Sequence, residues 1–117
     1  MTDGPAGSPR DEWRALAALR CRSGAQQLAA DQLRDRLARL PGWRHAGKRI
    51  EKTFRFADYH RTIAFVNAVA AVAQAEDHHP DMAVHYDRCT VAWSTHSAGG
   101  VTLNDCICAA KVEALAA

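Results

Sequence analysis

The chain has 117 residues, of which 48% are hydrophobic and 24% charged, and its net charge is +2 with histidine neutral. That length suits one core and is short for two ordinary domains, and the composition excludes a wholly disordered chain. The 15 basic residues are scattered and give no concentrated positive surface for nucleic acid.

The longest mostly apolar stretch, Ile63 to Ala75, is interrupted by Asn67 and Gln74. It is shorter than the roughly 20 residues a membrane helix needs, so no span or membrane partner is expected. The first residues, Met1-Thr2-Asp3-Gly4-Pro5, lack a basic segment followed by an apolar one, which leaves a cytoplasmic location as the expectation. Cys21, Cys89, Cys106 and Cys108 lack Cys-x-x-Cys spacing and are expected to be free, mostly buried thiols.

In chain order, residues 1–10 carry Gly4, Pro5, Gly7, Ser8 and Pro9 and read as a mobile tail. Trp13, Leu16 and Leu19 fit a short frayed helix that Ser23-Gly24 interrupts. Residues 1–26 are therefore expected to be a flexible N-terminal extension, with a single domain over 27–117. Leu28, Leu33, Leu37 and Leu40, stopped by Pro41-Gly42, predict an amphipathic helix over about 27–39.

The period then changes to two. Ile50, Phe54 and Phe56 share one face of a hairpin turning near Ala46-Gly47-Lys48, with Glu51, Thr53 and Arg55 on the other face. Asp58 is placed to cap a second helix whose apolar stripe is Ile63, Val66, Val69, Ala70 and Ala73, widened by Phe65 and Val72, and which ends before Pro80. A second strand pair is expected at about 83–87 and 89–96, with Cys89, Val91, Trp93 and Thr95 on one face and His96 on the other. Thr102-x-x-Asp105 has the form of a capping box opening a last helix with Leu103, Ile107, Ala110 and Ala114 inward. The order α-β-β-α-β-β-α predicts an α+β domain, with antiparallel strands covered on one face by helices. No P-loop or dinucleotide fingerprint is present, and Gly99-Gly100 reads as a turn.

Four of the six histidines, His78, His79, His85 and His96, fall within residues 78–96. Taken singly, each has an ordinary loop or strand-end reading. A metal site completed by Asp105 is a second reading, weakened because adjacent histidines seldom bind one ion and the i, i+4 helical spacing is absent. The third uses imidazoles as proton donor and acceptor, since an unperturbed ring titrates near pH ~6.5. His45, His60 and His85 have surface or strand readings, and Trp43 and Trp93 are read as core.

Gly42-Trp43, Ile50, Phe54, Phe56, Ala75-Glu76-Asp77-His78-His79-Pro80-Asp81, Tyr86, Ser94-Thr95-His96, Gly99-Gly100 and Asn104-Asp105 together resemble the pterin-4a-carbinolamine dehydratase family, from about Leu28 to the carboxyl end. The resemblance implies a four-stranded antiparallel sheet with three helices on one face, assembled as a homodimer or homotetramer. It implies dehydration of 4a-hydroxytetrahydrobiopterin, the product left by aromatic amino acid hydroxylases, to quinonoid dihydropterin and water, with no cofactor and no metal. By the same resemblance His78 and His96 are the acid/base pair and His79 binds and orients the pterin. Asp105 supports a histidine or the substrate, and Ser94 and Thr95 offer backbone polar groups to the ring. One position departs from the pattern: where the family commonly has a glutamate four residues before the first histidine, this chain has Gln74, with Glu76 two positions on. That departure keeps a second class in view, a dehydratase-like protein acting as a binding or assembly partner, as known among relatives.

Overall fold

The computed structural model describes residues 12–116. Its elements are α1 (Trp13–Ala17), α2 (Ala30–Leu37), β1 (Arg44–Ala46), β2 (Arg49–Arg55), α3 (Tyr59–Glu76), β3 (Asp81–Val84), β4 (Arg88–Trp93) and α4 (Leu103–Ala116). All strand pairs are antiparallel and the sheet order is β1-β2-β4-β3, the α+β architecture expected, with a fourth, short helix added at the front.

Local chemistry accounts for most boundaries. The Gln32 side chain accepts from the Ala29 N–H at 2.9 Å at the start of α2. The chain leaves α2 before Pro41, and Gly42 takes a φ of 82°. Ala46 pairs with Arg49, so Gly47 and Lys48 form a two-residue hairpin loop with Gly47 at φ 62°. Asp58 caps α3 through Oδ1, which accepts from the Arg61 N–H at 2.9 Å.

The register brings Ile50 opposite Trp93, Lys52 opposite Val91 and Phe54 opposite Cys89, so these residues share the core face. On the other face Thr53 and Thr90 join their hydroxyls at 2.7 Å, and Glu51 pairs with Arg44 and Arg49. Lys52 belongs to the core face because its ammonium is engaged: it donates to Glu113 of α4 and to the Pro41 carbonyl, both at 2.7 Å. The Trp43 indole N–H donates to the same Glu113 oxygen at 2.9 Å, so the buried carboxylate has both a cation and a neutral donor.

Several boundaries and faces differ from the sequence reading. The first long helix is shorter than 27–39, because Gln27 bridges to Thr102 and the Leu28 N–H donates to the Val101 carbonyl. The buried face of α3 is Thr62, Phe65, Val69 and Ala73; Ile63, Val66 and Val72 are half-buried and Ala70 is exposed. In a helix this rich in alanine, apolarity is spread around the circumference and does not fix the inward face. Strand β3 lies two to three residues earlier than 83–87, and β4 stops at Trp93 instead of 96. Thr95 forms an isolated bridge to Gly100, and His96 opens a 3₁₀ turn, His96–Ala98, instead of closing a strand.

The largest difference concerns the segment read as flexible. Residues 1–11 lie outside the described residues; in α1 Trp13 and Leu16 join the core and the helix packs against α4, while most of residues 18–26 are exposed. The Lys111 ammonium donates to the Ala17 carbonyl at 2.8 Å, tying the end of α1 to α4. Covered by α1 on one side and by β4 and α3 on others, α4 buries Cys106, Cys108, Ala109 and Val112 as well as the expected Ile107 and Ala110, while Ala114 is exposed. All four cysteines are free thiols, as the spacing predicts, and three are buried. Among the described residues no helix is long and apolar enough to cross a membrane.

Candidate active site

Segments distant in sequence meet at the first turn of α4. Helix α3 ends at Glu76, and Asp77 adopts the left-handed conformation (φ 51°, ψ 43°), which aspartate tolerates better than most side chains. The His78 N–H donates back to the Ala73 carbonyl at 3.2 Å, closing the helix, and Pro80 bars any return to helical geometry.

At that point the His78 ring lies 5.5 Å from the Trp93 indole at an interplanar angle of 21°, and its Nε2 is 2.6 Å from Asp105 Oδ1. The Asp105 side chain has no exposure and that of His78 has 16%, so the pair runs from the interior to a partly open ring. Asp105 Oδ2 accepts from the Thr102 N–H and the Thr95 hydroxyl, each at 2.8 Å. With the Thr95 proton committed to Asp105, the 2.9 Å contact between the two threonine hydroxyls requires Thr102 to donate to Thr95. The carboxylate thus caps the Thr102 amide at the start of α4 while holding a histidine, so one side chain does both tasks. A carboxylate that is ionised only accepts, and with Asp105 in that form the His78 proton is on Nε2 and Nδ1 is the ring nitrogen left for other partners.

Thr95 reaches this position through the turn after β4. Its N–H donates to the Gly100 carbonyl and its carbonyl accepts from the Ala98 N–H, both at 3.1 Å. Its hydroxyl rests on Asp105, while these bonds engage its N–H and one of the two acceptor positions of its carbonyl. Gly99 takes φ 78°, and a Cβ on Gly100 would meet the Gln27 amide nitrogen at 2.9 Å, so the glycine pair lets the turn close against the chain entering α2.

A cleft of about 400 Å³ opens beside His78, lined by residues 21–25, Glu76, Asp77, His78, Thr95, Ser97 and Asn104. One wall is the segment after α1, held by side chains from the opposite rim. The Asn104 amide accepts from the Arg22 N–H at 2.9 Å and donates to the Arg22 carbonyl at 2.7 Å. Glu76 accepts from the Cys21 N–H and from Arg20 Nε, both at 2.8 Å, with Lys111 at 3.7 Å. Burial alone would raise the Glu76 carboxyl, but the Cys21 N–H, Lys111 and Arg20 together outweigh it and hold it below the ordinary glutamate value. Glu76 is thus an anchor for the wall, while Gln74 is exposed on α3. Burial, reinforced by the nearby Asp105 charge, pushes the Cys106 thiol up to about 12, which makes it inert beside the site.

The sequence-predicted residues divide. His78, Asp105 and Thr95 come together. His79 and His96 are exposed and Ser94 is half-buried, and none of the three lines the cleft. His45, His60 and His85 are exposed. Trp43 and Trp93 are core as expected, but Trp93 is also the platform under His78. Sequence reasoning missed that platform, the Thr102 contribution and the wall at 21–25. The first two lay in residues already singled out for burial or capping, whereas the letters of the wall carry no signal. Among the described residues, no group of three or more His, Cys, Asp or Glu side chains is arranged to hold a metal ion.

Residues 26–115 match the family described as pterin 4 alpha carbinolamine dehydratase. A Chromobacterium violaceum protein provisionally named pterin-4-alpha-carbinolamine dehydratase is 58% identical over 92 residues, covering 79% of this chain and 85% of that one. A Stenotrophomonas maltophilia protein with the same provisional name is 50% identical over 105 residues, 86% of this chain and 90% of the other. The crystal structure of a transcriptional coactivator/pterin dehydratase from Brucella melitensis superimposes with a TM-score of 0.76 at 32% identity, covering 79% of this chain and 100% of that one. A pterin dehydratase-like protein described as a RuBisCO assembly factor in the alpha-carboxysome gives a TM-score of 0.53 at 25% identity, over 63% and 86% of the two chains.

Proposed function

Since the chain belongs to the pterin 4 alpha carbinolamine dehydratase family, we propose that it dehydrates a 4a-hydroxytetrahydropterin by histidine acid/base chemistry at the His78 cleft. The observation that carries this reading is the 2.6 Å contact between His78 and a fully buried Asp105 at the edge of an open cleft.

Loss of water from the carbinolamine needs a proton delivered to the C4a hydroxyl and another removed from N5. An imidazole whose orientation and tautomer are fixed suits one of these transfers, and a positioned group of this kind contributes roughly 10²- to 10⁴-fold. In this reading His78 transfers the proton through Nδ1, Asp105 positions it and supports the charge it gains, and Thr95 positions Asp105. His96 supplies the complementary transfer, from the turn whose next residue, Ser97, lines the cleft. His79 orients the pterin, with Ser94 beside it. The partners that follow are a pterin substrate, an aromatic amino acid hydroxylase that generates it, and further copies of this chain in a homodimer or homotetramer.

A second reading, a binding or assembly partner without turnover, is favoured by the description of one structural relative as an assembly factor and by Gln74 in this chain. An ultraviolet time course of enzymatically generated carbinolamine separates the two. Catalysis predicts faster water loss with wild type, near-complete loss of the acceleration in His78→Ala, and retained or increased acceleration in Gln74→Glu. A wild-type rate equal to the spontaneous one overturns the enzyme reading in favour of the partner.

A further inference from the structure

Two thiols outside the proton-transfer site are in contact. Cys21 Sγ, half-buried in the cleft wall, lies 3.5 Å from Cys108 Sγ, buried in α4, and also 3.6 Å from the Asn104 carbonyl. Cys108 stands one turn along α4 from Asp105, and the Cys21 N–H is held by Glu76, so the sulfur contact joins the wall to the helix that positions His78. Cys89 and Cys106 are buried elsewhere in the core and have no such partner among the described residues.

We propose that Cys21 and Cys108 are an oxidation site, forming a reversible intramolecular disulfide that staples the cleft wall to α4. Closing from 3.5 Å to the ~2.05 Å of a disulfide shortens the sulfur–sulfur distance by about 1.5 Å. The oxidant class is a peroxide. Cys21, the more accessible thiol, attacks a peroxide oxygen; the O–O bond breaks, and sulfenic acid and water form, or an alcohol from an organic peroxide. Cys108 then attacks the Cys21 sulfur; the S–S bond forms, the S–O bond breaks, and the hydroxyl leaves as water with the Cys108 proton. Burial raises both thiols above the ordinary cysteine value, so little thiolate is present and oxidation is slow compared with that of an activated thiol. The staple would hold residues 21–25 against α4 whichever ligand the cleft takes, so this inference does not depend on the dehydratase reading.

The test treats the full chain with hydrogen peroxide, blocks remaining thiols with iodoacetamide after unfolding, and maps cross-linked peptides by mass spectrometry. The expected product is a Cys21–Cys108 link within a single chain, with Cys89 and Cys106 alkylated. Amide hydrogen exchange over 21–25 should slow and recover on reduction with dithiothreitol. Cys21→Ser, a near-isosteric change at a half-buried position, should abolish the link and leave Cys108 alkylatable. Full alkylation of both cysteines, overoxidation of Cys21 without a link, a disulfide between chains, or an intrachain disulfide persisting in Cys21→Ser would each overturn the proposal.

Discussion

Asp105 Oδ1 holds His78 Nε2 at 2.6 Å while Oδ2 of the same carboxylate closes the first turn of α4 through the Thr102 amide. The histidine is thereby referenced to the backbone of a buried helix instead of to the loop that carries it.

Asp105→Asn separates the two tasks. An asparagine oxygen still accepts from Thr102 and Thr95, so the helix start survives. Its NH₂ donates toward His78 and forces the ring proton onto Nδ1, the wrong tautomer for a transfer through that atom. We expect a folded protein in which any dehydration rate falls by about 10²- to 10⁴-fold, the contribution of one positioned proton-transfer group. Circular dichroism with the carbinolamine time course checks both halves, and an unchanged rate contradicts the role given to Asp105.

Thr95→Val removes the hydroxyl between Thr102 and Asp105 with little change of shape. A hydrogen bond to a buried carboxylate contributes roughly 1.5–3 kcal/mol, so the denaturant midpoint should fall by that equivalent. The rate should fall less than in Asp105→Asn, since the His78 contact remains.

Glu76 sets the acid limit of the wall. Its carboxyl is held below its ordinary value of 4.5, so its contribution is complete above that pH and is lost as the pH falls through the lower folded value. Amide exchange at Cys21 and Arg22 should accelerate, relative to α4, over that acid interval. Glu76→Gln should show fast exchange at neutral pH and lose the pH dependence.

Lys52→Met leaves Glu113 buried without its cation, although Trp43 still donates to it. Breaking a buried pair from one side costs about 3–5 kcal/mol. Chemical denaturation should show that loss, whereas the His78 site, built on other residues, should keep its activity in the folded fraction.

The parts of the fold legible in the sequence are those decided locally. Asp58 caps α3, Pro41 and Gly42 follow α2, Gly47 sits in the hairpin loop, and the alternation of Ile50 and Phe54 sets the core face of β2. What escaped depends on partners distant in the chain. Trp13 and Leu16 look like a frayed turn until α4 is laid across them, and the Lys111 contact that fixes Ala17 spans 94 positions. The inward face of α3 was hidden because alanine surrounds the helix and periodicity has nothing to select. At the site, the carboxylate of Asp105 reads as a helix cap from its spacing to Thr102, and its hold on His78 spans 27 positions. His96 falls in a turn and not at a strand end because Thr95 bridges to Gly100 and ends the strand early, a turn that the glycine pair announces only in part.

The tautomer of His78 tests the central claim most directly. In ¹⁵N-labelled protein, two- and three-bond proton–nitrogen correlations should show His78 protonated at Nε2 with an unprotonated Nδ1, and the assignment should reverse in Asp105→Asn. A wild-type ring protonated at Nδ1, or one averaging between tautomers, would contradict an Asp105 that fixes the histidine for proton transfer.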